Sequence, residues 1–252
     1  MPGPVEVSSE GELALVTLSR LERRNALDAG AAQALAVAVT EAGASHRVLI
    51  VTGGPDAFCS GGDLEELDRF SQAPQDEVAQ RLYGSFQALI RAVRATDAVV
   101  IAAVGGAAVG AGMDLALACD LRLAAANARF GQVWVRLGLI PGTGGAFLTP
   151  HVIGLGAAAH LLLTGELIDA AEALRLGLVS KVVPPERLLD EARGLAALVL
   201  AHPRDGVVAN KRALVAASEA ALEAALEHAR RVQPARFASE EFKAALRAAR
   251  RR

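Results

Sequence analysis

The sequence predicts an α/β fold built from repeated crossover units, and three observations carry that prediction. Two near-continuous apolar runs, "RVLIVT" (47–52) and "AVVIAAV" (98–104), have the composition of strands covered on both faces. Helical patterns alternate with them: "AGAAQALAVAVTEA" (29–42), then "DEVAQRLYGSFQALIRAVRA" (76–95), with apolar residues at Val78, Leu82, Phe86, Leu89, Ile90 and Val93. A glycine-rich turn and a helix start follow each apolar run, so the same unit recurs along the chain.

Each element has a local reason. "LALVTL" (13–18) alternates as a half-buried strand does. The first glycine cluster, "FCSGGD" (58–63), precedes the polar helix start "LEELDRF". In the second, "VGGAAVGAGMDLALACD" (104–120), a strand runs into Gly105-Gly106, and Gly110-Ala111-Gly112 opens a helix. From Glu186 onward only alanine-rich helical patterns remain, broken near His202-Pro203 and near Pro234. This reads as a compact core, residues 1–190, followed by a helical region, 191–252. The helical region has an apolar stripe (Leu214, Leu222, Leu226, Phe242, Leu246) that must pack on the parent core or on a neighbouring subunit.

Composition bounds the function. The chain has 252 residues, 52% hydrophobic and 21% charged, the balance of a globular protein with a sizeable core. A net charge of −2 gives no electrostatic case for nucleic acid or an anionic membrane as partner. The terminal "RAARRR" reads as a solvated helix end. Two cysteines, Cys59 and Cys119, make neither a disulfide framework nor a zinc site. No signal-peptide pattern and no apolar run of about 18 residues appears, so a cytoplasmic protein is expected.

The glycine clusters carry the chemistry. The second does not fit the GxGxxG spacing, and no lysine-bearing phosphate loop is present. Small residues at a helix N-terminus leave backbone N–H groups free, although they could simply permit tight strand–helix packing. Two such turns, one after each buried strand, could aim two N–H groups at one point. That is an oxyanion hole, in which each donor contributes about 3–4 kcal/mol to a transition state that gathers charge on a carbonyl. Cys59 and Ser60 have no histidine near them in sequence, so neither has a claim as nucleophile.

Five ordered segments, "RLERRNALD", "AFCSGGDL", "GGAAVGAGMDLALACDLRLAAANARFG", "LGLIPGTGG" and "LLLTGELIDAAEALRLGLVSKVV", together resemble the crotonase superfamily, the enoyl-CoA hydratases and isomerases. The resemblance runs from residue 13 to about 190, and "SEEFKAALRAARR" is similar to the family's terminal helix. It implies a crotonase-like spiral of ββα repeats with C-terminal helices that mediate homotrimers, often paired into hexamers. Substrates would be acyl-CoA or enoyl-CoA thioesters, with coenzyme A part of the substrate and no tightly bound cofactor or metal. The oxyanion donors fall on Gly62 and Ala111. Arg23, Arg24 and Ala26 lie in the segment that passes the CoA moiety in relatives. Ser60, Gly61, Asp63 and Leu64 flank the oxyanion glycine, with Ser60 and Gly61 leaving room for the CoA arm. For Asp63 the position before a helix also predicts an N-cap.

The family's hydratases use two glutamates, and this chain departs from both. The first position holds Asp114, one methylene shorter. The second holds Trp134, the chain's only tryptophan, and the position where some relatives place an acid in the following turn reads Gly142. No Asp or Glu occurs between Leu121 and Gly165. Asp114 is therefore the sole acid–base group, or a structural residue, or the protein is an acyl-CoA binder with weak or no turnover. Trp134 and Gly142 would wall the acyl pocket, the indole favouring planar acyl groups. The expected activity is hydration or double-bond isomerisation of an enoyl-CoA through a thioester enolate.

Overall fold

The computed structural model describes residues 3–251, apart from the side chain of Leu82. The strands in chain order are β1 (Val5–Glu10), β2 (Leu13–Leu18), β3 (Val48–Thr52), β4 (Ala57–Cys59) and β5 (Val99–Val104). They continue with β6 (Ala107–Val109), β7 (Leu121–Ala125), β8 (Arg129–Gly131), β9 (Leu167–Asp169) and β10 (Val182–Val183). The larger sheet has the order β1-β2-β3-β5-β7-β10 and the smaller the order β4-β6-β8-β9. Within the larger sheet only the β1–β2 pair is antiparallel; in the smaller only β8–β9 is.

Three turns of a ββα spiral generate this topology. Each turn places one strand in the large sheet (β3, β5, β7), the next in the small sheet (β4, β6, β8), and then enters a helix. After β4 come α2 (Leu64–Gln72), α3 (Gln75–Leu82), a π-helical turn (Tyr83–Gln87) and α4 (Ala88–Ala95). After β6 comes α5 (Ala111–Ala118); after β8, a 3-10 turn (Val133–Leu137) and then α6 (Gly145–Ile153). The helix expected over 76–95 thus holds a π turn, which apolar spacing alone does not disclose. The edge strand β1 is largely exposed, so "VEVSSE" carries no apolar alternation to announce it.

Strand alternation divides the core into two layers. Val16, Leu49, Val51, Val100 and Ala102 face α1 (Ala29–Ser45), α4 and α5. Leu13, Val48, Ile50, Val99 and Ile101 face the opposite way, where Leu188, Ala192 and Ala196 of α9 (Leu188–Leu200) cover them. Burial on both faces is why β3 and β5 read as continuous apolar runs. Between the third repeat and α9 lie α7 (Leu155–Thr164) and α8 (Ala170–Arg175).

The remaining helices, α10 (Arg204–Ala216), α11 (Glu219–Phe237) and α12 (Glu240–Ala249), fold back onto the parent core. Leu222, Leu226, Phe237, Phe242 and Leu246 are buried there, with Phe237 packed against Phe70 and Phe242. Leu214 is instead 75% exposed and lies off that stripe. Pro234 does not break the helix, since α11 continues through it to Phe237. A proline in a helix interior costs about 3 kcal/mol, and the buried residues on either side of it offset this.

Lys211 of α10 is a buried anchor between the helical region and the sheet. Its Nζ donates to Asp120 Oδ2 at 2.7 Å and to the Ala98 carbonyl at 2.7 Å. Asp120 Oδ2 also accepts the Val100 N–H. Replacing Lys211 by Met should lower unfolding stability by about 2–4 kcal/mol in urea denaturation, because it leaves the Ala98 carbonyl and Asp120 without their cation. A loss below about 0.5 kcal/mol would show that the anchor contributes little.

Candidate active site

The small sheet sets the site. Strands β4, β6 and β8 lie side by side and parallel, so the turns that follow them open at the same end. These turns carry Gly62, Ala111 and Trp134 respectively, one from each repeat. Gly110 N–H binds the Gly131 carbonyl at 2.9 Å, tying the second turn to the third.

The first two turns approach through bare backbone. Gly61 has φ +100°, and a side chain there would begin 2.8 Å from the Val109 carbonyl oxygen and 3.8 Å from the Ala111 nitrogen. A side chain on Gly112 would begin 2.2 Å from the Cys59 carbonyl oxygen. The neighbouring Gly62 is less restricted, with only Leu67 at ordinary contact distance. Among the described residues, neither Gly62 nor Ala111 donates its N–H to a backbone carbonyl. Ala111 opens α5, where intrahelical partners are lacking. The arrangement leaves two N–H groups without backbone acceptors on neighbouring turns, one of them at a helix N-terminus.

The segment Arg23–Leu27 runs alongside Ser60–Asp63. Ser60 N–H donates to the Arg24 carbonyl, Leu27 N–H to that of Gly61, and Asp63 N–H to that of Leu27. Arg24 and Asn25 both have left-handed backbone, φ 53° and 54°, which costs about 1 kcal/mol or more each. Asn25 holds this geometry: its Oδ1 accepts from Arg20 N–H and its Nδ2 donates to the Gly53 and Ala57 carbonyls. Nothing in the sequence had singled out Asn25, although it lies inside the "RRNALD" segment.

Other candidate residues here have distinct surroundings. Asp63 is buried, caps α2 through Glu65 and Glu66 N–H, and pairs with Arg23 at 2.9 Å and Arg20 at 3.4 Å. Burial raises its carboxyl pKa, but Arg23 and the capping N–H groups outweigh burial and hold it below the usual range. Arg23 also pairs with Glu65 at 3.0 Å, whereas Arg24 is exposed. Ala26 is buried, Ser60 is half-buried, and Leu64 is exposed at the start of α2. Burial pushes the Cys59 thiol up to about 12, so it stays protonated and unreactive near neutral pH.

Asp114 lies one turn into α5 and is fully buried. Gln132 Nε2 donates to its Oδ1 at 2.7 Å, Thr143 Oγ1 donates to its Oδ2 at 2.5 Å, and the Gly145 N–H donates to the carboxyl as well. Gln132 Nε2 also reaches Thr149 Oγ1 at 3.0 Å. Burial raises the carboxyl to about 6 against these three donors. Asp114 therefore ties α5 to the end of β8 and to the start of α6. Gln132, Thr143 and Gly145 lie within the segments "ANARFG…" to "LGLIPGTGG", but their convergence depends on the tertiary fold.

Trp134 belongs to the 3-10 turn after β8 and is 9% exposed. Its indole lies over Gly110, with Cε2 3.7 Å and Nε1 3.9 Å from where a Gly110 side chain would begin. Nε1 meets no hydrogen-bond partner among the described residues. The indole thus adjoins the turn that leads into α5. Gly142 is buried in the turn before α6, beside Tyr83 and Gln233.

Two outcomes test this geometry. Gly61→Ala should cost about 2 kcal/mol or more in thermal or chemical denaturation, and Gly62→Ala clearly less; the reverse order would contradict the packing described. Because the folded Asp114 carboxyl lies above its ordinary 3.8, the native state holds that proton more tightly between about pH 4 and pH 6. Its stability contribution is then greatest on the acid side and falls as pH rises through about 6. Asn can keep the same three contacts, with Thr143 turning to accept. Relative to Asp114→Asn, the wild type should lose about 2.4 kcal/mol between pH 4 and pH 7. A pH-independent difference would contradict it.

A model of the enoyl-CoA hydratase/isomerase family matches residues 8–252. A probable enoyl-CoA hydratase of Rhizobium meliloti is 35% identical over 239 residues, 94% of this chain and 91% of that protein. A crotonyl-CoA hydratase of Syntrophomonas wolfei is 38% identical over 211 residues, 82% of this chain and 79% of that protein. The crystal structure of an enoyl-CoA hydratase from Bacillus halodurans superposes with a TM-score of 0.91 at 26% identity, covering 98% of this chain and all of that one. With its ββα spiral and paired glycine turns, the chain belongs to the enoyl-CoA hydratase/isomerase family and has the crotonase fold.

Proposed function

We propose that this enzyme binds an acyl-CoA thioester with its carbonyl oxygen between the Gly62 and Ala111 N–H groups, removes a proton from the α-carbon to form the enolate, and returns it at the α- or γ-carbon. Two N–H groups without backbone acceptors, on neighbouring turns at the end of the small sheet, support the reading. In this site the thioester oxygen gains charge as the α-proton leaves, and fixed donors stabilise that charge without reorganising. Arg24, exposed beside Ser60, would meet the CoA phosphates; Arg23 and Asp63, already paired, would stiffen the loop. Ala26, Ser60, Gly61 and Leu64 would border the CoA arm.

In this reading Asp114 is the acid–base group. A carboxyl near pH 6 suits proton exchange near neutrality. Among the described residues, the buried acids are Asp63 and Asp114, and Asp63 is capping a helix. One shuttling carboxylate fits double-bond isomerisation more simply than hydration, which also needs water activated from the opposite side. Trp134 replaces the second acid with a flat wall that favours planar acyl groups, and Gly142 lines the pocket further in. Full enclosure of Asp114 by three donors favours a second reading, in which it positions α5 and α6 and carries no proton.

The assembly we infer is a homotrimer, or trimers paired into hexamers, in the cytoplasm. Residues 1–190 would supply the thioester site and 191–252 the helical region. The exposed Leu155, Leu163 and Leu214 provide apolar surface for subunit contact. No tightly bound cofactor is needed for the chemistry, since coenzyme A arrives with the substrate.

The test is deuterium uptake from heavy water into 3-butenoyl-CoA and crotonyl-CoA, followed by mass spectrometry. Wild type should label the α- or γ-carbon, and Asp114→Asn should label it about 100-fold more slowly or less. Equal labelling by both proteins would assign Asp114 to the positioning role. Absence of any labelling or conversion would overturn the enolate chemistry.

A further inference from the structure

Besides Trp134 Nε1 and Gln132 Oε1, two buried side chains beside the turn before α6 end in unpartnered polar atoms. Tyr83 is 3% exposed and Gln233 fully buried, and neither Tyr83 Oη nor Gln233 Nε2 meets a hydrogen-bond partner among the described residues. They come from distant parts of the chain, the π turn after α3 and the last turns of α11. Both face Gly142. Gln233 Nε2 is 2.9 Å, and the Tyr83 ring carbon Cε1 3.5 Å, from the point where a Gly142 side chain would begin.

The orientation of the glutamine is fixed. Gln233 Oε1 accepts the Ile140 N–H at 2.9 Å, so the amide must present Nε2, a donor, to the Gly142 side. Gln87 Nε2 holds the same turn by donating to the Gly142 and Leu226 carbonyls. The following two residues bind Asp114 through Thr143 Oγ1 and the Gly145 N–H. One turn therefore holds the Asp114 carboxylate through Thr143 and Gly145 and adjoins Tyr83 and Gln233 at Gly142.

We propose that Tyr83 and Gln233 close the far end of the acyl pocket and select acyl groups that carry an uncharged oxygen there, a ketone or a hydroxyl. This rests on the thioester reading above and specifies its substrate class. A buried donor left without an acceptor is unfavourable, and a ligand oxygen with two lone pairs satisfies both groups at once. A carboxylate is disfavoured because, among the described residues, the cations beside Tyr83 are already paired. Arg91 and Arg230 line the surface cleft of about 510 Å³ on the outer side of Tyr83. Arg91 is held by Glu223 at 2.8 Å and Arg230 by Glu227 at 2.7 Å. The start of a π turn at Tyr83 is in keeping with a functional position.

Calorimetric binding of hexanoyl-CoA, 4-oxohexanoyl-CoA and 5-oxohexanoyl-CoA tests the proposal on the full-length protein. One oxo ligand should bind about tenfold more tightly than hexanoyl-CoA. Tyr83→Phe should bring that ratio close to one. Tyr83→Phe should also leave the melting temperature of the ligand-free protein unchanged or higher, since it deletes a buried hydroxyl without a partner. Equal affinity for all three ligands overturns the proposal and leaves the thioester reading standing. So does an unchanged ratio in Tyr83→Phe, or a clear fall in its melting temperature. Failure of every acyl-CoA to bind overturns both.

Discussion

Backbone packed directly on backbone between successive repeats is the constraint on which the site depends. A side chain at Gly112 would begin 2.2 Å from the Cys59 carbonyl oxygen, and one at Gly61 2.8 Å from that of Val109. Glycine at these points lets β4 and β6 end close enough for their following turns to meet. Parallel pairing with β8 then adds the third turn, and with it Gln132 and Trp134. Without that approach the N–H groups of Gly62 and Ala111 would serve separate surfaces.

Electrostatics in the site follow from the same enclosure. Asp114 is removed from water by the packing that brings α5, β8 and α6 together, and burial raises its carboxyl toward neutrality while three donors restrain the rise. Asp63, next to Gly62 at the start of α2, goes the other way because Arg23 and two capping N–H groups surround it. Two buried carboxyls thus acquire opposite properties from their partners: one is held ionised to stiffen a loop, the other is poised near the range where protons exchange.

Much of this was legible in the sequence for physical reasons. Strands β2, β3 and β5 announce themselves through alternation or continuous apolar runs, and the glycine clusters mark the close approaches between repeats. The helical region's stripe was visible through Leu222, Leu226, Phe242 and Leu246, although Leu214 proved exposed and Pro234 lies within α11. Other features depend on tertiary contacts that no local pattern reports. The Gln132–Asp114–Thr143 cluster joins three elements, and Gln233 and Tyr83, 150 residues apart in the chain, both come to Gly142. The π turn keeps the apolar spacing of an ordinary helix, so its presence could not be read from periodicity.

The central claim is that the Gly62 and Ala111 N–H groups act together on a thioester oxygen. Its most direct test is the infrared carbonyl stretch of a bound acyl-CoA carrying ¹³C at the thioester carbon. Polarisation by two fixed donors should move that band to lower frequency than in free solution, and crowding the approach with Gly61→Ala should reverse much of the shift. A bound carbonyl that absorbs where the free thioester does would contradict the account.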